Sequence, residues 1–283
     1  MHIINSIKTI QKVMARAKGS HKTIGFVPTL GALHPGHASL LRAARRENDI
    51  VVLSIFVNPK QFGAREDFTA YPRDKNKDVL LAKKEKVDII FYPSVNKIYP
   101  RSFLTSIKVA GLEAALCGKF RPGHFAGVAL VVAKLLNIVA PDILYLGQKD
   151  AQQCAVIQRL VRDLNIPVKI KICPTIREPD GLAMSSRNRY LTKDQRKEAA
   201  LLYQTLSAAR RQIQKGERRA SAVIRQMRKT IRPNSSGRIQ YIACVHADTL
   251  EPVKKLKGKI LIALAVWFGK ARLIDNILVS IKP

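Results

Sequence analysis

Apolar residues recur along the chain in two rhythms. Ile3, Ile4, Ile7, Ile10, Val13 and Met14 fall at helical spacing, and a Gly-Ser break after them leads into the short run Thr23-Ile24-Gly25-Phe26-Val27, which predicts a helix followed by a strand. The run from Ile50 to Val57 is nearly continuous rather than alternating, as expected for a parallel strand covered on both faces. Similar runs stand at Val87–Tyr92, Ile143–Leu146 and Val168–Cys173, with helical patterns between them near 37–48, 74–85, 124–139 and 150–164. Alternation of this kind predicts an α/β domain with a doubly wound parallel sheet. From residue 187 onward the pattern changes to basic helices at 192–214 and 220–230. Strand-like runs follow at Ile239–Val245, Lys259–Val266 and Arg272–Val279, which predict a smaller α+β domain with an antiparallel sheet. The expected division is therefore 1–186 and 187–283, without internal repeats.

Composition narrows the class. A chain of 283 residues that is 47% hydrophobic has enough apolar side chain for a substantial core. No apolar run approaches the roughly 18 residues of a membrane span, and the start Met1-His2-Ile3-Ile4-Asn5 has no leader pattern, so a cytoplasmic protein without a membrane partner is expected. Cys117, Cys154, Cys173 and Cys244 lie far apart with no Cys-x-x-Cys pair, which predicts buried free thiols rather than disulfides or a zinc site. The formal charge of +30, from 50 Lys and Arg against 20 Asp and Glu, is the best argument for a nucleic-acid-binding rival. Those cations are spread through the chain, and the densest segment, Arg210 to Arg232, follows a helical pattern without aromatic stacking residues. A solvated basic surface and no specific nucleic acid are expected.

Candidate chemistry collects where the strands finish. Pro28-Thr29, Asn58-Pro59, Tyr92-Pro93, Gly147-Gln148-Lys149-Asp150 and Pro174-Thr175 all follow apolar runs, and open α/β sheets bind ligands at the carboxyl ends of their strands. His34-Pro35-Gly36-His37 turns the first of these ends into a helix. Unpaired N–H groups and the dipole of a helix start favour phosphate there, and two imidazoles would add donors. A three-histidine metal site of His34, His37 and His124 is the alternative, weakened by the absence of an accompanying carboxylate. Met184-Ser185-Ser186-Arg187 offers hydroxyls beside a guanidinium, a second phosphate-gripping set.

These two motifs resemble the signatures of the nucleotidylyl-transferase superfamily, which includes class I aminoacyl-tRNA synthetases. Further matches are Val27-Pro28-Thr29, Ser54 to Pro59, Gln61-Phe62, Glu66-Asp67, Tyr71-Pro72-Arg73, Arg121 to Phe125, Gly147 to Gln153 and Asp180 to Asn188. In this order and spacing the chain is similar to the pantothenate synthetases, or pantoate–β-alanine ligases. The resemblance implies a Rossmann-like ATP- and pantoate-binding domain over 1–186 and a C-terminal lid and dimer domain over 187–283. It also implies a homodimer, Mg2+, and a two-step reaction in which pantoate is adenylated by ATP and β-alanine then displaces AMP. Catalysis would rest on positioning and charge stabilisation rather than on an enzyme nucleophile.

Carried onto this chain, the resemblance implies ATP contacts at Leu30, Gly31, Ala32, Leu33, His34, Pro35, Gly36 and His37, with His37 as proton donor and His34 beside it. Further ATP contacts are implied at Gly147, Gln148, Lys149, Asp150, Ile176, Met184, Ser185, Ser186 and Arg187, of which Lys149 and Arg187 neutralise phosphate charge. Gln61 and Gln153 are implied to hold pantoate, and Gln61 also β-alanine. Leu30, Pro35 and Asn76-Lys77 depart from the usual pattern. The last of these leaves Asp78 as the nearest acidic candidate for Mg2+, with ATP phosphates and water as the alternative holders. Gly63–Thr69 reads as a flap. The enzymatic rival is a transferase that leaves the nucleotide on its product.

Overall fold

The computed structural model describes residues 1–63, 66 and 68–281. The chain divides into two compact units, one of Met1–Glu113, Arg121–Gly147 and Val156–Pro174, the other of Ala114–Phe120, Gln148–Ala155 and Thr175–Pro283. These bounds are drawn differently from 1–186 and 187–283, because 114–120, 148–155 and 175–186 fall with the second unit.

The first unit is built on strands β1 (His2–Ile4), β2 (Ile24–Thr29), β3 (Ile50–Ile55), β4 (Ile89–Phe91), β5 (Ile143–Gly147) and β6 (Lys169–Cys173). They form one sheet in the order β1-β4-β3-β2-β5-β6, parallel throughout. The helical spacing of Ile3 and Ile4 is misleading. Ser6 caps the first helix by accepting from Thr9 N–H, so α1 runs only over Ile7–Gly19 and the residues before it pair as a strand with β4. Helices α2 (Pro35–Glu47), α3 (Lys75–Lys84), the short α4 (Val95–Ile98), α5 (His124–Val139) and α6 (Ala151–Asp163) complete the alternation. Leu40, Leu41, Ala43 and Ala44 of α2 and Ala82 of α3 cover one sheet face, packing on Val27, Val51, Leu53, Ile55 and Ile90. The other face takes α5, against which α1 lies. Being apolar nearly all round, α5 is buried along most of its length. Strand order reverses at β2, which has β3 on one side and β5 on the other, so the end of β2 at Thr29 is a topological switch point.

The second unit carries α7 (Lys193–Ala199), α8 (Leu201–Gln214), α9 (Ala220–Asn234) and the antiparallel sheet β7 (Arg238–His246), β8 (Gly258–Phe268) and β9 (Ala271–Ile281), with β8 central. The pattern expected as one helix over 192–214 is two: a capping box of Thr192 and Gln195 starts α7, and α8 begins after Ala200. Leu202 and Leu206 of α8 and Val223, Met227 and Ile231 of α9 bury against Ile260, Ile262, Leu264 and Val266. Burying that stripe leaves Arg225, Lys229 and Arg232 of α9 exposed. No helix among the described residues is long and apolar enough to cross a membrane.

Candidate active site

In the first unit the turn after β2 is fixed by two side chains, Thr29 and Asp78. Thr29 Oγ1 donates to the Ser54 carbonyl at 2.8 Å and accepts from Gly31 N–H at 3.2 Å. Gly31 (φ 83°) and Ala32 (φ 50°) then both take the left-handed region, which Ala occupies only at a cost of about 1 kcal/mol. Asp78, 2% exposed on α3, holds this conformation by accepting from Ala32 N–H at 3.0 Å and Leu33 N–H at 2.7 Å. A Cβ on Gly31 would lie 2.9 Å from Asp78 Oδ2 and 3.0 Å from Ile55, so the close approach itself requires glycine.

The two histidines close the turn onto α2. His34 is the N-cap and its Nδ1 accepts from Gly36 N–H at 3.1 Å, while His37 Nδ1 accepts from His34 N–H at 3.3 Å, a reciprocal capping box. Their rings lie 4.0 Å apart. The N–H groups expected to stand unpaired have partners: Pro35 carries none, Gly36 donates to His34 Nδ1, and those of His37 and Ala38 donate to the His34 carbonyl. What the turn offers an anion is the helix dipole and the imidazoles. With Nδ1 accepting in both neutral rings, the proton sits on Nε2.

Gln61 is positioned just as closely. Asn58, fully buried, donates through Nδ2 to Gln61 Oε1 at 3.1 Å and to the Gly127 carbonyl at 3.0 Å, and its Oδ1 accepts from Tyr99 OH at 2.9 Å and Lys60 N–H. Burial pushes the Tyr99 phenol well above its ordinary range, so it remains a donor. Asn58 occupies one acceptor site of the Gln61 oxygen and so orients the amide, whose NH2 is its donor end. A Cβ on Gly127 would stand 2.0 Å from the Lys60 carbonyl oxygen, so only glycine lets α5 support this segment. His124 Nδ1 lies 2.7 Å from the Gln61 carbonyl and its Nε2 lies 2.9 Å from Arg121, whose guanidinium also grips both oxygens of Glu66 at 2.6 and 2.5 Å. Burial alone would raise the Glu66 carboxyl, but Arg121 outweighs it and holds the group below its usual value. The stretch Gly63–Thr69, expected as a flap, includes Ala64, Arg65 and Asp67, which lie outside the described residues.

Gly147 ends β5 beside Cys173 of β6. In the second unit Gln148–Asp150 form a 3-10 turn leading into α6, with Lys149 Nζ 3.6 Å from Asp150. Asn276 of β9 donates to the Gln148 and Lys149 carbonyls and accepts from Gln148 Nε2. Gln153 stands half-buried on α6, and its neighbour Gln152 secures Cys117 N–H and the Ala115 carbonyl. Ile176 and Met184 are joined by a hydrogen bond from Met184 N–H to the Ile176 carbonyl at 3.0 Å. Ser185 Oγ accepts from Arg187 N–H and so caps the turn Ser186–Tyr190. The Ser185 hydroxyl retains its own proton as a donor. Sequence reasoning did not single out Asn58 or Asn276 as supports, since each acts on segments far away along the chain.

A protein-held metal does not fit these residues. His34 and His37 spend their Nδ1 atoms on the cap, and both nitrogens of His124 have protein neighbours within hydrogen-bond distance. Both oxygens of Asp78 accept backbone N–H groups. Among the described residues no group of three or more His, Cys, Asp or Glu is arranged to hold a metal ion.

Comparison with known proteins extends these observations over the chain. The sequence profile described as pantoate-beta-alanine ligase matches residues 2–278. A pantothenate synthetase from Caldicellulosiruptor bescii is 52% identical over 282 residues, covering 100% of both chains. The crystal structure of the pantothenate synthetase from Thermus thermophilus is similar with TM-score 0.93 at 43% identity, covering 98% of this chain and 99% of that one. A pantoate-beta-alanine ligase from Francisella tularensis, complexed with beta-gamma ATP and beta-alanine, is similar with TM-score 0.79 at 39% identity, covering 98% of this chain and 97% of that one.

Proposed function

The chain belongs to the pantoate-beta-alanine ligase family, and from that premise we propose that it condenses (R)-pantoate with β-alanine, using ATP, to give pantothenate, AMP and pyrophosphate. It is thereby an enzyme of vitamin B5 and coenzyme A biosynthesis. A pantoate carboxylate oxygen attacks the α-phosphorus of ATP as the bond to pyrophosphate breaks. The β-alanine amine then attacks the carbonyl carbon of pantoyl adenylate, loses its proton to solvent and expels AMP.

The observation that carries the residue assignment is the orientation of Gln61, whose oxygen is held by Asn58 and whose NH2 suits a carboxylate. A neutral amide orients that nucleophile without the tight ion pair that would blunt it. Gln61 and Gln153 hold pantoate in this reading, and Gln61 also meets β-alanine. His37 and His34 donate from Nε2 to phosphoryl oxygens as charge builds there, and Lys149 and Arg187 neutralise phosphate. Leu30 to Gly36, Gly147, Gln148, Asp150, Ile176, Met184, Ser185 and Ser186 complete the ATP contacts. In this reading residues 1–186 bind ATP and pantoate, and 187–283 serve as lid and dimer element. A Mg2+ ion would come on the phosphates and water of ATP rather than on protein carboxylates, while Asp78 stays with the turn.

The test is pantoate-dependent exchange of pyrophosphate into ATP, followed by β-alanine-dependent release of AMP. Exchange only with pantoate is expected; folded protein without exchange overturns the reading. A homodimer of twice 31.6 kDa is expected by light scattering, and a monomer at all concentrations would remove that part. Buried thiols in place of disulfides support a cytoplasmic setting.

A further inference from the structure

We infer that Asn276, on the last strand of the second unit, is a positioning residue for Lys149, an inference that rests on the reaction proposed above. Its carboxamide is 4% exposed and directed at one turn: Nδ2 donates to the Gln148 carbonyl at 3.0 Å and the Lys149 carbonyl at 2.9 Å, and Oδ1 accepts from Gln148 Nε2 at 2.9 Å. Among short side chains only a carboxamide supplies two donors and an acceptor in one plane; a carboxylate has no donor and a hydroxyl has one. The preceding residue extends the same support. Asp275, 3% exposed, accepts from Arg177 at 2.6 and 3.0 Å, and Arg177 also donates to the Gly181 carbonyl and lies 3.7 Å above the Tyr203 ring. Adjacent residues of β9 thus hold both the turn that carries Lys149 and the loop that leads from Ile176 to Met184.

Lysine acts on phosphate as a point charge on a flexible stem, so its backbone decides where that charge reaches. A displacement of about 1 Å in such a group lowers a rate on the order of 100-fold. Lys149 also has a competing partner, since Nζ already lies 3.6 Å from Asp150. Releasing the turn would let the ammonium settle on its own neighbour.

Asn276→Asp tests this, because it keeps the size, removes both donors and faces two carbonyls with a carboxylate. Pantoate-dependent ATP–pyrophosphate exchange should fall about 10- to 100-fold in kcat, with KM for pantoate changed less than about threefold. In a cycle with Lys149→Ala, the double variant should be no slower than Lys149→Ala alone. Independent, multiplying losses would overturn the inference. Amide hydrogen exchange should speed up across 147–153 while β7 and β8 keep their protection; unchanged protection of 147–153 would also overturn it. Asn276→Ser, which retains one donor, takes the same measurements if the Asp variant does not fold. A wild-type protein without exchange defeats the proposed reaction but leaves the hydrogen-exchange outcome to judge the positioning.

Discussion

His34 and His37 each spend Nδ1 on a backbone N–H, so in the proposed reaction one ring would have two roles: the near nitrogen builds the turn and the far nitrogen would serve the ligand. A substitution can remove one role and keep the other. His37→Asn retains an acceptor near the His34 N–H, whereas His37→Ala loses the cap and should cost about 1 kcal/mol of stability. Both should slow adenylation by about 100-fold or more, with ATP affinity changed less than about threefold. Thermal melts and single-turnover rates check this pair, and a normal rate in His37→Asn would remove the donor role. The histidine turn and the Ser-Ser-Arg segment stand out in the sequence as candidates by chemistry and local spacing, whereas Lys149, among the strand-end residues, gains its phosphate role only through the family resemblance. Asn58 stands among the strand-end candidates, but its supporting role does not show there, and Asn276 is not singled out at all, because Asn58 reaches a carbonyl 69 residues away and Asn276 a carbonyl 128 away, distances that no local pattern encodes.

At the scale of elements, α3 supplies the buried carboxylate that stabilises the left-handed turn after β2. Asp78→Asn places an N–H opposite an N–H and should cost about 2 kcal/mol, with a raised KM for ATP. On the proposal that the metal comes with the nucleotide, the Mg2+ dependence of exchange should keep its midpoint when measured at saturating ATP; a large shift would return Asp78 to the metal. The Glu66–Arg121 pair gives a pH signature. The folded carboxyl titrates below its ordinary 4.5, so its contribution to stability is complete above that value and is lost as pH falls through the lowered one. Melting temperatures of wild type and Glu66→Gln from about pH 3 to about pH 6 should therefore converge at the acid end and separate toward the neutral end. A constant difference would remove the ion pair as its cause. The alternating elements themselves were legible from periodicity. What periodicity missed were two boundaries: the cap at Ser6, which frees His2–Ile4 to become a strand, and the break at Ala200, which carries no side-chain cap and divides the stretch 192–214 into two helices.

For the molecule as a whole, the excess of 50 basic over 20 acidic side chains makes attraction to any polyanion unavoidable at low salt. That attraction should be separable from catalysis. Oligonucleotide binding, followed by fluorescence anisotropy, should fade between about 50 mM and about 500 mM salt and be unchanged in His37→Ala and Lys149→Ala, both of which should slow turnover by about 100-fold or more. Binding that persists at high salt, or disappears with those substitutions, would reopen the nucleic-acid reading. The four cysteines, all buried without disulfides, give the protein a chemical clock. Burial raises the thiols of Cys173, in the first unit, and Cys244, in the second, the latter to about 12, so native protein should be nearly silent toward thiol-reactive dyes. Under mild denaturant each thiol reports only when its own surroundings open, so mass mapping of the first cysteine labelled reveals which unit gives way first.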